Sequence, residues 1–178
     1  LLRTTDEELA GELRADGCTV EPGPWRHCLL VSFPGTPANT GAFREGKFHV
    51  QGLASQFAAL CVDAGPGMRV LDLCAVPARV PLLTAAFARC GIHCARPFQG
   101  DAGTFQPELG VFDRVLCDVP CSGLGVMGKK PDIRYKSLEG IENLQKVQQK
   151  ILQNGARYLA QNGRLVYSTC TVNFFEYE

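Results

Sequence analysis

Nine cysteines stand in this chain, at positions 18, 28, 61, 74, 90, 94, 117, 121 and 170, and no two form a Cys-x-x-Cys pair. The number is odd, and the chain is longer and less Cys-dense than a secreted disulfide scaffold. Most of these thiols are therefore expected to be small buried hydrophobes in a reducing cytoplasm, with one or two of them reactive. Four fall in or just after apolar runs: Cys74 after Met68–Leu73, Cys117 and Cys121 around Asp118-Val-Pro, and Cys170 after Arg164–Ser168. Asp72 and Asp118 stand beside them, and Asp101 follows another apolar stretch. Thiols with carboxylates close by are the materials of nucleophilic catalysis with proton transfer.

Elements must bring such residues together. Met68–Leu73, Val111–Cys117 and Arg164–Ser168 read as buried strands, and Cys94–Phe98 as a further one. Helices are predicted at Leu82–Arg89, closed by Gly91, and at Ser137–Gln161, ended by Asn162-Gly163. On the longer helix Leu138, Ile141, Leu144, Gln148, Ile151, Leu152, Gly155, Tyr158 and Leu159 share one side, read as core packing. Strands alternating with helices specify a parallel, doubly wound α/β sheet. In such sheets ligands bind beyond the carboxyl ends of the strands. Asp72–Cys74, Gly100–Ala102, Asp118–Cys121 and Thr169–Cys170 would then share one rim.

Residues 1–63 read as a small α+β appendage to a domain at 64–178. Within it Thr5–Ala15 is a helix capped by Thr5 or Asp6, with Leu9 and Leu13 on one face. Cys28–Phe33 is a strand followed by a turn at Pro34–Thr40, Phe43–Val50 a short strand or arm, and Gln51–Val62 a helix.

At 178 residues the chain has one domain's worth of length, so neither disulfides nor structural metal are needed for stability. Cys90, His93 and Cys94 lack the second pair that a tetrahedral metal site requires. Apolar residues at 46% and charged residues at 20% exclude disordered and fibrous classes. No run is long enough to cross a bilayer and no signal peptide is expected. Eighteen basic residues cancel eighteen acidic ones, so a nucleic-acid partner needs a local patch. Lys129, Lys130, Arg134 and Lys136 supply one, with Tyr135 available to stack on a base.

The segment Asp118-Val-Pro-Cys121-Ser-Gly-Leu-Gly125, with Lys130-Pro-Asp-Ile133 and Tyr167-Ser-Thr-Cys170, resembles the Sun-type family of RNA cytosine-carbon-5 methyltransferases, nearest to the bacterial enzymes of small-subunit ribosomal RNA. Val70-Leu-Asp-Leu-Cys-Ala75 with Pro77 is similar to the family's cofactor loop. The resemblance implies a Rossmann-like class I methyltransferase fold that uses S-adenosyl-L-methionine. It makes Cys170 the nucleophile toward carbon-6, Asp118 the group that stabilises the ring nitrogen, and Cys121 the thiol that assists product release. It assigns Cys74, Ala75, Pro77, Asp101 and Asp118 to the cofactor, and RNA, ribosomal by the nearest members, as the substrate.

Two positions depart from the family. Its Pro-Gly-Gly-Lys is Pro77-Ala78-Arg79-Val80 here, with side chains where the backbone approaches the ligand. Between Asp72 and Asp101 there is room for one helix and one strand, so the sheet is incomplete and no residue matches the acid that holds the ribose. These departures define an alternative, an RNA-binding relative without cofactor binding or turnover. A nucleotide-dependent oxidoreductase is disfavoured because no GxGxxG follows the first strand.

Overall fold

The computed structural model of the chain describes residues 3–74, 80–135 and 140–176. In order the elements are α1 (Asp6–Ala15), β1 (Thr19–Pro22), β2 (Leu29–Ser32), α2 (Gly41–Arg44), α3 (Leu53–Val62), β3 (Val70–Asp72), α4 (Val80–Cys90), β4 (Phe112–Asp118), α5 (Ile141–Arg157) and β5 (Leu159–Ser168), with short 3-10 turns between some of them. They group into two compact units, Leu1–Gln51 with Ala78–Phe98, and Gly52–Pro77 with Gln99–Glu178.

In the first unit α1 begins at a capping box. Thr5 Oγ1 accepts the Glu8 N–H at 3.2 Å, and the Glu8 carboxylate accepts the Thr5 N–H at 3.0 Å. Leu9 and Leu13 are buried with Cys18, Val20 and Ala42 against Phe33 and Phe48. β1 and β2 pair antiparallel, Thr19 opposite Ser32. Of the short strand or arm expected at Phe43–Val50, the strand does not form. Thr40 Oγ1 caps the Phe43 N–H and starts the short α2 instead. The carbonyls of Phe43 and Phe48 then go to the Arg89 guanidinium of α4, at 2.6 and 3.1 Å.

The second unit is built on a parallel sheet of order β3-β4-β5. Cys94–Phe98 is not a strand. Pro97 has no N–H to give a ladder, and Phe98 is exposed. Three strand ends therefore form the rim rather than four. Leu71, Val115 and Cys117 point to one face, where they pack with Ile151 and Tyr158 of the α5 region. Arg114 and Arg164 alternate to the other face and bond the carbonyls of Asp63 and Cys61 at the end of α3. Helices thus flank both faces, as a doubly wound α/β sheet requires, though with few strands.

The long helix is shorter than its pattern. Its residues 137–139 lie outside the described set, and it ends at Arg157 with Tyr158 as C-cap. Leu159 already belongs to β5, and Leu152 is largely turned to solvent. Asn162-Gly163 does not stop the helix. It makes an irregularity inside β5, with Asn162 at φ 63°, after which pairing resumes at Arg114–Arg164. α5 can lie close on the sheet because residue 155 has no side chain: a Cβ there would stand 2.8 Å from Cys117 Sγ and 2.9 Å from Leu165 Cδ1.

Gly155→Ala tests this packing against local preference. Alanine favours a helix interior by about 1 kcal/mol, whereas overpacking costs about 1–3 kcal/mol. Urea unfolding is expected to show a less stable variant. A gain in stability would mean that the helix–sheet contact yields freely.

Candidate active site

Parallel pairing decides where the reactive groups go. Asp118 stands opposite Ser168 at the end of the β4–β5 ladder, and the Val119 N–H continues it by donating to Ser168 O at 3.0 Å. The Ser168 hydroxyl donates to Asp118 Oδ1 at 2.8 Å. Both chains then leave the sheet level with each other, one carrying Pro120-Cys121 and the other Thr169-Cys170. Cys121 Sγ and Cys170 Sγ lie 3.1 Å apart, and the Cys170 N–H donates to Cys121 Sγ at 3.3 Å. Cys121 is half-buried and Cys170 is exposed.

The loop after Cys121 is held against the second thiol's own backbone. The Gly125 N–H donates to Cys170 O at 3.0 Å, and a Cβ at 125 would come within 2.9 Å of that oxygen. Glycine is required there by close approach.

Protonation follows from this crowding. Burial, the hydrogen bond and negative charge of Cys121, and the charge of Asp118 together push the Cys170 thiol up to about 11. Burial with the charges of Cys117, Asp72 and Asp118 pushes Cys74 up to about 12. Asp72 is also raised, by burial and then by Asp118, against the lowering effect of the Cys74 N–H that its Oδ1 accepts at 3.1 Å. At neutral pH Cys170 rests as a neutral thiol. Cys117, fully buried and pushed up to about 11 chiefly by burial, is core filler.

Asp101 lies in the loop that precedes β4 and is not carried on any of the three strand ends. Its carboxylate accepts from the Gly103 N–H and the Thr104 hydroxyl, both at 2.9 Å, and these bonds hold it below the usual range. Its turn is tied to α5 through Asn154 Nδ2, which donates to Ala102 O at 3.0 Å. Lys129, Lys130 and Arg134 are exposed around the short turn Pro131–Tyr135, which is anchored by the buried Ile133. Tyr135 is 89% exposed. Ala75 and Pro77 of the cofactor loop, and Lys136 of the basic cluster, lie outside the described residues.

Hydrophobic pattern and motif did not reveal the group beneath the thiols. Glu176 is only 2% exposed, and its carboxylate gathers donors from three segments. Oε1 accepts the Ser122 hydroxyl at 2.6 Å, Asn173 Nδ2 at 3.0 Å and the Thr171 hydroxyl at 3.2 Å. Oε2 accepts the Ser122 N–H at 2.9 Å and Gln148 Nε2 at 3.0 Å. Burial pushes Glu176 up, but its bonds to Ser122, Gln148 and Asn173 prevail and hold it below the ordinary glutamate range. Gln148, read from the sequence as core packing, also donates to Pro120 O at 2.9 Å. The advance signals were a glutamine within an apolar stripe and the partial match of Asn173-Phe-Phe-Glu176-Tyr-Glu178 to the family's Asn-Pro-Glu-Glu-Asn-Glu, which carried no role for Glu176.

Residues 68–178 match the family model described as 16S rRNA methyltransferase RsmB/F. The chain is 33% identical over 195 residues to the probable ribosomal RNA small subunit methyltransferase B of Bacillus subtilis (strain 168), covering 93% of this chain and 43% of that protein. It therefore spans less than half of that relative's length. The crystal structure of PH0851 superposes with a TM-score of 0.90 at 31% identity, over 98% of this chain and 46% of the other. NSun6 from Pyrococcus horikoshii, solved with SFG, has the same fold at a TM-score of 0.71 and 24% identity, over 84% of this chain and 46% of that one.

The raised Cys170 thiol gives a direct readout. Its alkylation by iodoacetamide, followed on its own peptide by mass spectrometry, is expected to climb with pH toward about 11. It should not level off near the ordinary thiol value of about 8.5. Cys121→Ala removes a hydrogen bond and a like charge, so the midpoint should fall. An unmoved midpoint would show that the two sulfurs do not meet in solution.

Proposed function

The chain belongs to the 16S rRNA methyltransferase RsmB/F family, and from that membership we propose that it carries the thiol chemistry of an enzyme that methylates carbon-5 of cytosine in ribosomal RNA. The observation that supports this most is the 3.1 Å approach of the Cys121 and Cys170 sulfurs beside Asp118 on one sheet rim.

Carbon-5 of cytosine is a poor nucleophile until the ring's conjugation is broken. As Cys170 gives up its thiol proton to the neighbouring Asp118 carboxylate, a bond from its Sγ to carbon-6 does this and moves electron density to carbon-5, and the same proton is then available to the ring nitrogen. Asp118 stabilises the adduct at the ring nitrogen by a proton or hydrogen bond, and the Ser168 hydroxyl fixes that carboxyl's orientation. Once carbon-5 is substituted, loss of its proton restores the double bond and expels the Cys170 sulfur. Cys121, already in contact with that sulfur, assists the release.

S-adenosyl-L-methionine, when bound, supplies an electrophilic methyl group. The rim fits a ligand that carries a sulfonium and an ammonium, because Asp72 and Asp118 place carboxyl groups there. SFG, with which the NSun6 neighbour was solved, is an analogue of this cofactor. We assign Cys74, Ala75, Pro77, Asp101 and Asp118 to it. Asp101 keeps its carboxylate exposed while capping its own turn. Lys129, Lys130, Arg134 and Lys136 are assigned to RNA phosphates.

In functional terms residues 1–63 are the RNA-binding-type appendage and 64–178 the catalytic part, a division that the compact units cross at α3 and α4. All nine cysteines are free, which supports a cytoplasmic setting. Among the described residues no helix is long and apolar enough to cross a membrane.

Covalent trapping tests the proposal. On RNA containing 5-fluorocytosine with the cofactor, the chain should form a stable protein–RNA adduct, because the fluorine cannot leave as a proton does. Cys170→Ser should abolish it. Cys121→Ser should instead accumulate adduct on unmodified RNA. Absence of any adduct from the unaltered chain, together with salt-dependent RNA binding, would establish a binding relative without turnover.

A further inference from the structure

Glu176 has no place in the chemistry above, yet it is the most heavily bonded side chain near the thiols. Its donors come from the residue after Cys121 (Ser122), from the residue after Cys170 (Thr171), from Asn173, and from Gln148 of α5. Gln148 reaches back to Pro120 O, the residue before Cys121. The Ser122 and Thr171 hydroxyls are 2.7 Å apart and share their two protons between each other and Glu176 Oε1, and the Asn173 N–H donates to Thr171 Oγ1 at 3.1 Å. Tyr167, in the strand that carries Cys170, donates its hydroxyl to Glu176 O at 3.1 Å.

The two thiol-bearing loops come from different strands, 49 positions apart in sequence. The β4–β5 pairing and the Gly125 N–H bond to Cys170 O bring the two loops to the same rim. A buried carboxylate that accepts from both adds a side-chain clamp beneath them, because each donor it loses would be an unpaired polar group in a closed site. The Ser122 N–H can only donate, and the Ser122 and Thr171 hydroxyls and the Asn173 and Gln148 amides turn donors toward the same carboxylate, a set that an ionised acceptor satisfies. Such charge-assisted bonds are shorter and stronger than neutral ones.

We propose that Glu176 is a positioning residue, holding Cys121 and Cys170 at contact distance from beneath through its bonds to Ser122, Thr171, Asn173 and Gln148. It touches neither base nor cofactor. Its importance for catalysis rests on the reading of those two cysteines as the reacting thiols, but its grip on their geometry does not.

The experiment separates the two. In the full chain, Glu176→Gln is close in shape but turns an amide N–H toward donors. If the carboxylate sets the sulfur–sulfur contact, Cys170 loses its neighbour and titrates closer to an ordinary thiol. Its alkylation at pH 8.5 then rises by roughly tenfold or more, since the thiolate is the reacting form. Adduct formation on 5-fluorocytosine RNA falls by about a hundredfold, as misplacement by about an ångström does elsewhere. Measured well below the melting temperature, a purely structural role lowers thermal stability and leaves the Cys170 profile as it was, which would overturn the proposal. Ser122→Ala removes one of the five bonds and should move the alkylation rate in the same direction by less. If Glu176→Gln does not fold, an unchanged profile in Ser122→Ala overturns the idea by itself. If the unaltered chain makes no RNA adduct, the alkylation result still decides whether Glu176 positions the thiols.

Discussion

The parallel pairing of β4 with β5 is the constraint from which the site follows. In an antiparallel pair the two chains would leave the sheet at opposite ends, and Cys121 and Cys170 would be a strand's length apart. Parallel pairing, with Asp118 level with Ser168, makes both exits occur on one rim. The same register brings Ser168 to Asp118 and lets the loop at Gly125 return to Cys170 O. β3 adds Asp72 and Cys74 from the other side of β4. The rim is thereby acidic and partly withdrawn from solvent, which raises the Cys74 and Cys170 thiols.

What was legible beforehand was whatever the chain encodes locally. Thr5 with Glu8 three residues on is a helix start written in four residues, and it formed as written. The short apolar runs at Met68–Leu73 and Val111–Cys117 were readable as strands, and their ends located the thiols. Errors arose where a distant group claimed the backbone. Phe43 and Phe48 looked strand-like, but Arg89, more than 40 positions away, took their carbonyls. Leu159 fitted the helical period, yet Tyr158 ends the helix, and its hydroxyl accepts the Gln106 N–H at 2.7 Å.

Glu176 illustrates the limit most clearly. A glutamate among aromatic residues near the end of the sequence carries no periodic signal, and its burial depends on donors as far as 54 positions upstream. Pattern reading finds residues that share a face or a turn. It does not find a carboxylate whose partners are assembled only after the sheet has formed. Motif resemblance named the two cysteines and Asp118 and partly matched the segment that holds Glu176, but gave that glutamate no role.

Between α5 and β5 there is no loop: Tyr158 alone separates Arg157 from Leu159. That ring is 1% exposed, lies tilted against Phe105 at 4.6 Å between centroids, and accepts the Gln106 N–H through its hydroxyl. Helix and strand therefore share one buried anchor, and the irregularity at Asn162-Gly163 shortly after it is where the backbone re-registers onto β4. The same ring holds the segment that follows Asp101, so one aromatic side chain fixes the end of the helix, the start of the strand and the loop before β4 together.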